Sequence, residues 1–408
     1  MISLGKVKIM PLSINQKAKR LEVPGIRQFS NQLIHFPDAI NLTIGQPDFP
    51  TPDAVKKAGI RAIENNQTGY SHNAGLLELR QAAASFFKDT YGFSYDPETE
   101  VIITNGASEG IDSVFRTILE EDDEVIIPAP IYSGYEPIIE LCGAKVVYFD
   151  TADTGFLPSS EMLLAMVTPK TKAILLNYPS NPTGVTIEPE LMDQLVSVLE
   201  NLDIYIVSDE IYSENTFTGE HRSFASYPQL RDRLFLIHGL SKSHSMTGWR
   251  IGFTFGPERL MQHVVKVHLY NSICATLPSQ YAGIEALTSC RNVPSEMNVE
   301  YIKRRDFVYE RLTSMGLDVV KPNGAFYIFP SIKQFGMPSF EFATRLLHEG
   351  GVAVVPGSTF TEHGEGYIRI SYAYAMPMLE EGMKRIQRFI ETLEIQSAVL
   401  SSSSEGCL

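Results

Sequence analysis

The feature that most constrains this chain is the regular alternation of short apolar runs with longer stretches of helical periodicity. The runs are rich in Val, Ile and Leu, and they occupy residues 101–104, 124–127, 145–149, 172–176, 204–207, 234–237 and 252–255. Strands that are buried on both faces have such continuous apolar runs, and strand–helix alternation is typical of parallel sheets flanked by helices. The pattern therefore predicts an α/β fold with a mainly parallel central sheet.

Beyond residue 290 the pattern changes to that of an α+β unit. Strands are predicted there at 317–320, 325–329, 352–355 and 367–371, among three helical stretches. A chain of 408 residues is longer than one compact core normally holds. We therefore expect a large domain over 51–290, a small domain over 291–395 to which an N-terminal arm (1–50) contributes, and a flexible tail over 396–408.

Net charge and cysteine usage exclude several classes of function. The net charge is −14, from 34 Lys and Arg against 48 Asp and Glu, and such a surface repels nucleic acid and anionic membranes. No apolar run resembles a signal peptide or a membrane span. The four scattered cysteines favour a cytoplasmic protein without a metal or redox site: Cys142, Cys274, Cys290 and Cys407.

The first candidate site lies where the 101–104 run gives way to a helical pattern, at Gly106, Ala107 and Ser108. The free N–H groups and the dipole of a helix N-terminus attract anions, and small residues let a phosphate approach closely. The alternative is a plain strand-to-helix turn with Ser108 as the cap, and for this segment alone the preference of serine for cap positions favours it.

Two further candidates follow the next strands of the predicted sheet. Asn181 lies in YPSNPTG, where flanking prolines fix the backbone and hold its amide in one direction. Asp209 and Tyr212 lie in SDEIY, and an acid at the end of a buried strand requires a cationic or N–H partner. A turn, a helix cap or a salt bridge remains the alternative for each motif taken alone.

The segment SKSHSMTGWR supplies Ser241, Lys242 and Arg250 after another strand. A lysine there can form a Schiff base if its surroundings lower its pKa, and an arginine can bind phosphate through two hydrogen bonds; a solvated loop is the alternative. With Tyr132 as a stacking ring, the combined motifs offer what pyridoxal 5'-phosphate needs: an anion site, a partner for the pyridine nitrogen, a donor to the ring oxygen and a lysine.

The motifs SDEIY, YPSNPTG and SKSHSMTGWRIG, in this order, resemble those of class I/II aminotransferases of pyridoxal-phosphate fold type I, and the bacterial aminotransferase A type most of all. The likeness runs from about residue 21 to 393. It implies that Lys242 is the Schiff-base lysine, that Asp209 pairs with the pyridine nitrogen, and that Tyr212 and Asn181 donate to the ring oxygen. It also assigns Tyr132 to ring stacking, and the phosphate to the backbone of 106–108 and to Arg250.

The same resemblance assigns the substrate side of the site. It implies that Gly45, Asn181 and Arg369 hold the substrate carboxylate, and that Tyr70 reaches the cofactor phosphate of the neighbouring subunit in a homodimer. Two departures stand out. Many relatives have a hydroxyl residue where this chain has Gly239, and Ser241 is the candidate replacement. In addition, no arginine that could bind a side-chain carboxylate of the substrate occurs between 268 and 280.

The expected activity is transfer of an amino group from an L-amino acid to a 2-oxo acid such as 2-oxoglutarate, in two half-reactions that share one cofactor. Another reaction on the same scaffold, such as C–S lysis, is the alternative. The donor stays open: Tyr70, Ile26 and Phe326 line a pocket for an aromatic or other bulky side chain, or they are simply core. The resemblance also admits N-acetyl-LL-diaminopimelate as the donor.

Overall fold

The computed structural model describes residues 12–21, 25, 29 and 33–405, with side chains up to 396. Its centre is a seven-stranded sheet with the order β2-β8-β7-β6-β5-β3-β4. The strands are β2 (Val101–Asn105), β3 (Glu124–Ala129), β4 (Lys145–Asp150), β5 (Thr171–Asn177), β6 (Tyr205–Asp209), β7 (Leu234–Gly239) and β8 (Ile251–Phe255). All neighbours are parallel except β8, which is antiparallel to both β2 and β7. The predicted mainly parallel α/β sheet is confirmed.

Both faces of this sheet are covered, which explains the continuous apolar runs. Along β5, Ala173 and Leu175 belong to one buried cluster, whereas Ile174 and Leu176 belong to another on the opposite face. The helices of this part of the chain are α1 (Gln16–Arg20), α2 (Asp53–Glu64), α3 (Leu77–Tyr91), α4 (Ala107–Ile118), α5 (Tyr135–Cys142), α6 (Ser160–Met166), α7 (Pro189–Leu199), α8 (Leu240–Ser243), α9 (Glu258–Ser272) and α10 (Leu277–Thr288). Alternate side chains of one strand therefore anchor helices on opposite sides.

A separate buried cluster organises the C-terminal part of the chain. It joins the helices α11 (Val293–Ser314), α12 (Ser339–Gly350) and α13 (Met376–Glu405) to the strands β9 (Tyr327–Ile328), β10 (Val352–Ala353) and β12 (Ile368–Ser371). The strand β11 (Val355–Pro356) pairs with β12. The strand β1 (Ile40–Asn41) pairs with β10. This pairing supports our proposal that the arm within 1–50 belongs in part to a small domain over 291–395.

Three local predictions differ from the structure. Residues 317–320 alternate in burial as a strand would, yet they form no strand, and the predicted run 352–355 is divided between β10 and β11. The helix α13 runs on to Glu405, past the point at 396 where the sequence predicts a tail. Ile26 and Cys407 lie outside the described residues. No helix between residues 12 and 405 has the length and apolar character needed to cross a bilayer.

Candidate active site

The candidate residues meet at one edge of the central sheet because of its topology. Asp209 is the last residue of β6, and the neighbouring strands end at Asn177 and Gly239. Lys242 follows β7 in the short helix α8. Since β8 is antiparallel, Arg250 immediately before it lies at the same edge as the carboxyl ends of the parallel strands. Ligands bind at this edge in open α/β sheets.

An anion site forms where β2 passes into α4. Gly106 has φ of 79°, and a Cβ there would lie 2.2 Å from Nη2 of Arg250. The guanidinium therefore packs directly on the glycine, and Nη2 donates to the carbonyl of Asn105 at 3.2 Å. Beside it, the helix begins at Ala107 with free N–H groups. The positive helix end and the arginine together provide the charge that a phosphate requires.

Asp209 is a buried carboxylate that is only 4% exposed. Its Oδ2 accepts from the phenol of Tyr135 at 2.7 Å, and its Oδ1 accepts from the amide of Ile211 at 3.1 Å. Burial raises the pKa of Asp209 to about 6, although both hydrogen bonds oppose this rise. Both of these partners are uncharged. A buried carboxylate with only uncharged partners is suited to a cationic group in the cavity that it faces.

Lys242 is partly buried in the same cavity. Its Nζ donates to the carbonyl of Gly45 at 2.6 Å, which directs the amine across the cavity. Burial and, to a smaller extent, the positive charges of Arg369 and Arg250 lower the pKa of Lys242 to about 8. A larger fraction of the amine is therefore neutral near physiological pH than in a lysine on the surface, as nucleophilic and proton-transfer roles require.

Arg369 is a buried cation, only 3% exposed, and no acidic side chain of the described part of the chain pairs with it. Its Nη1 donates to Oδ1 of Asn181 at 2.9 Å, and its Nη2 donates to the carbonyl of Thr43 at 2.7 Å. Its Nε has no hydrogen-bond partner in the protein. Because burying an unpaired charge is costly, the arrangement fits the binding of a small carboxylate.

Most of the residues predicted from the sequence share a cavity of about 340 Å³. They are Gly45, Ala107, Ser108, Tyr132, Asn181, Asp209, Tyr212, Ser241, Lys242, Arg250 and Arg369. Gly106 instead lies behind the guanidinium of Arg250, and Tyr70 lies outside the cavity with 80% of its surface exposed. A Cβ at Gly239 would approach the carbonyl of Ile251 to 2.7 Å, so a hydroxyl side chain at that position would require the backbone to shift.

Three cavity residues to which the sequence assigned no role hydrogen-bond to Asp209 or Tyr212 through their side chains. Tyr135 holds Asp209, and Asn177 donates from Nδ2 to the carbonyl of Asp209 at 3.0 Å. Tyr327 contacts the hydroxyl of Tyr212 at 2.7 Å. Asn177 directly precedes the motif YPSNPTG, and Tyr135 lies three residues after Tyr132, so both are close to sequence signals. Tyr327 comes from β9, and no local pattern indicated it.

Together these features satisfy the needs of pyridoxal 5'-phosphate: an anion site, a buried acid suited to a cation, a lysine of lowered pKa and an aromatic ring. Among the described residues there is no cluster of His, Cys, Asp or Glu suited to a metal ion. The fold and the cavity thus define a pyridoxal-phosphate-dependent enzyme of fold type I.

Comparisons with known proteins narrow this class to one family. The family model described as aminotransferase class I and II matches residues 37–386. A Bacillus subtilis (strain 168) protein named probable N-acetyl-LL-diaminopimelate aminotransferase is 54% identical over 377 residues, which cover 92% of this chain and 95% of that protein. The aromatic-amino-acid aminotransferase 2 of Thermococcus litoralis is 41% identical, covering 86% of this chain and 92% of its own.

A solved structure leads to the same family. The aromatic aminotransferase of Pyrococcus horikoshii OT3 superimposes with a TM-score of 0.86 at 38% identity, over 90% of this chain and 99% of its own. The chain therefore belongs to the class I and II aminotransferases. It is a pyridoxal-phosphate-dependent enzyme that moves an amino group from an amino acid to a 2-oxo acid.

Proposed function

We propose that Lys242 binds the cofactor covalently and transfers the proton during transamination, while Asp209 pairs with the protonated ring nitrogen. The observation that carries this proposal is that the Lys242 amine and the Asp209 carboxylate face one cavity, where the strands of the central sheet end. When bound, the cofactor makes the α-hydrogen of the amino acid acidic by accepting electrons into its ring. The buried charge of Asp209 favours the ring form that accepts them.

The remaining roles follow from contacts within the cavity. Arg369 binds the substrate carboxylate, and the hydrogen bond from its Nη1 holds the amide of Asn181 beside it. The carbonyl of Gly45 directs Nζ of Lys242 into the cavity, and the lowered pKa of this lysine leaves part of the amine free to accept the α-proton. Such general base catalysis contributes on the order of 10²- to 10⁴-fold.

The decisive test is replacement of Lys242 by Ala. We expect the visible absorbance of covalently bound cofactor to disappear and turnover to fall by at least about 10²-fold, because both the bond and the proton acceptor are lost. Lys266→Ala, which removes a lysine remote from the cavity, serves as the control and keeps both properties. Wild-type turnover in Lys242→Ala protein would refute the assignment.

For the amino donor we propose an L-amino acid with an aromatic or other bulky side chain, and 2-oxoglutarate as an acceptor. The cavity wall supports this proposal, since the apolar side chain of Ile44 lines it with 41% of its surface exposed. The sequence also lacks an arginine between 268 and 280 for a side-chain carboxylate. The second candidate donor is N-acetyl-LL-diaminopimelate, which the 54% identical relative supports through its name.

A donor panel separates the two candidates. Tyrosine, phenylalanine, N-acetyl-LL-diaminopimelate and aspartate are each incubated with 2-oxoglutarate, and glutamate formation gives kcat/KM. We expect the aromatic donors to exceed aspartate by at least about tenfold, because a bulky apolar side chain gains burial in an apolar pocket. If N-acetyl-LL-diaminopimelate exceeds both aromatic donors, the second candidate replaces the first. Equal values for all four donors would contradict both.

Two further proposals concern the assembly and its location. We propose a homodimer in which Tyr70 reaches the cofactor phosphate of the neighbouring subunit, which the exposure of Tyr70 outside its own cavity supports. We also propose a cytoplasmic location, because Cys142, Cys274 and Cys290 are free thiols in the described chain.

A further inference from the structure

Tyr327 is a buried tyrosine to which the roles proposed above assign no part. It is 1% exposed, and it lies on β9, which pairs with β12 so that Tyr327 stands opposite Ser371. The same strand β12 carries Arg369. Tyr327 thus comes from the C-terminal unit and reaches the cavity at the edge of the central sheet.

Three contacts join Tyr327 to different parts of the site. Its hydroxyl lies 2.7 Å from the hydroxyl of Tyr212. The guanidinium carbon of Arg369 lies 4.4 Å from the centre of its ring. A Cβ on Gly45 would lie 2.5 Å from its Oη, so the glycine that accepts from Lys242 packs directly on this hydroxyl. One side chain therefore contacts the residues proposed to hold the ring oxygen, the substrate carboxylate and the lysine.

The contact between the two hydroxyls has a directional consequence. Each phenol has one proton, so only one of Tyr212 and Tyr327 donates in this hydrogen bond. If Tyr212 donates to Tyr327, it has no proton left for another acceptor in the cavity. If Tyr327 donates, the proton of Tyr212 remains available, and accepting a hydrogen bond polarises Tyr212 into a stronger donor.

We propose that Tyr327 is a positioning residue for transamination: its hydroxyl donates to Tyr212 and thereby directs the Tyr212 proton to the cofactor, while its ring supports the guanidinium of Arg369. This inference rests on the proposed roles of Tyr212 and Arg369. The ring contact is a cation–π interaction in a buried setting, where such contacts hold a guanidinium in one orientation. The ring of Tyr327 thus affects substrate binding through Arg369, and its hydroxyl affects the cofactor through Tyr212.

The two halves of the proposal are tested by two substitutions in the holoenzyme. Tyr327→Phe removes only the hydroxyl, and the readout is the pH midpoint of the visible absorbance change of the bound cofactor. A hydrogen-bond donor to the ring oxygen favours negative charge on that oxygen, so weakening the donor should raise this midpoint. The rise should be up to about one pH unit, which corresponds to the free energy of one neutral hydrogen bond. KM for the amino donor should stay within about twofold, because the ring under Arg369 remains.

Tyr327→Leu removes the ring as well and should raise KM for the amino donor by about tenfold, because the support of Arg369 is lost. Tyr372→Phe is the matched control: it removes the hydroxyl of another fully buried tyrosine, whose Oη donates to the carbonyl of Ala325 at 3.4 Å. The control should leave the midpoint and KM unchanged, which separates positioning from a general loss of packing.

The outcomes distinguish this inference from the roles on which it rests. Tyr212→Phe should raise the midpoint at least as far as Tyr327→Phe does. If Tyr212→Phe leaves the midpoint unchanged, the proposed role of Tyr212 itself fails. If Tyr212→Phe raises it and Tyr327→Phe lowers it or leaves it unchanged, Tyr327 is not the donor, and only the inference about Tyr327 is overturned.

Discussion

Asp209, which is buried, and Lys242, which is partly buried, make the stability of the cofactor-free protein depend on pH. Burial raises the pKa of Asp209 from 3.8 to about 6, so the folded chain holds its proton more tightly than the unfolded chain does. This contribution to stability is complete below pH 3.8 and is lost as the pH rises through 6. For Lys242, with a pKa lowered from 10.5 to about 8, stability is lost as the pH falls from 10.5 through 8.

Asp209→Asn should therefore stabilise the cofactor-free protein at pH 8 and change it little at pH 4. The expected gain at pH 8 is about 2–3 kcal/mol in the free energy of unfolding, because a two-unit pKa shift corresponds to that difference. Urea unfolding at the two pH values measures it. The same substitution in the holoenzyme is the comparison, because a cationic partner for Asp209 there should abolish the gain in the free energy of unfolding. A gain of equal size at both pH values would show that the effect is not one of ionisation.

Among the elements, the turn from β2 into α4 is the one that we propose binds the cofactor phosphate. Gly106 and Gly92 both have positive φ, 79° and 77°, but their ψ angles are 169° and 3°, so only Gly92 is in the left-handed helical region. At Gly92 an added Cβ would meet nothing within 4 Å, whereas at Gly106 it would meet the guanidinium of Arg250 at 2.2 Å. An alanine is strained at both positions, and more strongly at Gly106, where the backbone conformation is essentially restricted to glycine; only the alanine at 106 also displaces the arginine.

Gly106→Ala should consequently weaken binding of pyridoxal 5'-phosphate by at least about tenfold, the contribution of one charge-assisted hydrogen bond to a phosphate. Gly92→Ala is the control for alanine at a positive-φ glycine, and it should leave the dissociation constant within about twofold because its added Cβ meets nothing within 4 Å. Titration of the cofactor-free protein with the cofactor gives both constants. A dissociation constant of Gly106→Ala protein within about twofold of the wild-type value would contradict the role of this turn.

Sequence patterns predicted the elements that carry their own signal. The strands β5, β6 and β7 are buried on both faces, so their apolar runs were continuous, and the motifs after them fell at the correct edge because parallel strands end together. The segment 317–320 shows the limit of this reasoning. Its alternation reports which side chains are buried, but a strand also needs a hydrogen-bonded neighbour. The backbone bonds there are one from Ser331 to the carbonyl of Asp318 and one from Leu317 back to Leu312 in α11, which do not make a strand pair.

At the level of the whole chain, length alone indicated two units, but not how their surfaces meet. The contact between Tyr212 and Tyr327 joins residues 115 positions apart, and the pairing of β1 with β10 joins Ile40 to Val352. No local periodicity encodes such distances, because they depend on how the C-terminal unit packs against the central sheet. Tyr327, which reaches the cavity from the C-terminal part of the chain, therefore had no local signal, and Arg369 on the neighbouring strand was assigned only through the family resemblance.

A residue can also complete the cavity of a neighbouring subunit, and subunit mixing tests whether Tyr70 does so. If Tyr70 acts across a dimer interface, a hybrid of one Lys242→Ala subunit and one Tyr70→Ala subunit has one intact site, built from the native lysine of one chain and the native tyrosine of the other. If Tyr70 acts within its own chain, neither site is intact. We therefore expect two nearly inactive homodimers to regain about a quarter of wild-type activity after equal mixing, unfolding and refolding, since half the dimers are hybrids with one active site of two.

Wild-type protein carried through the same refolding sets the full scale, and each variant refolded alone sets the background. Glutamate formation measures the regained activity, and the molar mass of the mixture establishes that dimers are present. Activity at the background level in a dimeric mixture would place Tyr70 at its own site or at none. In that case its high exposure would need another explanation.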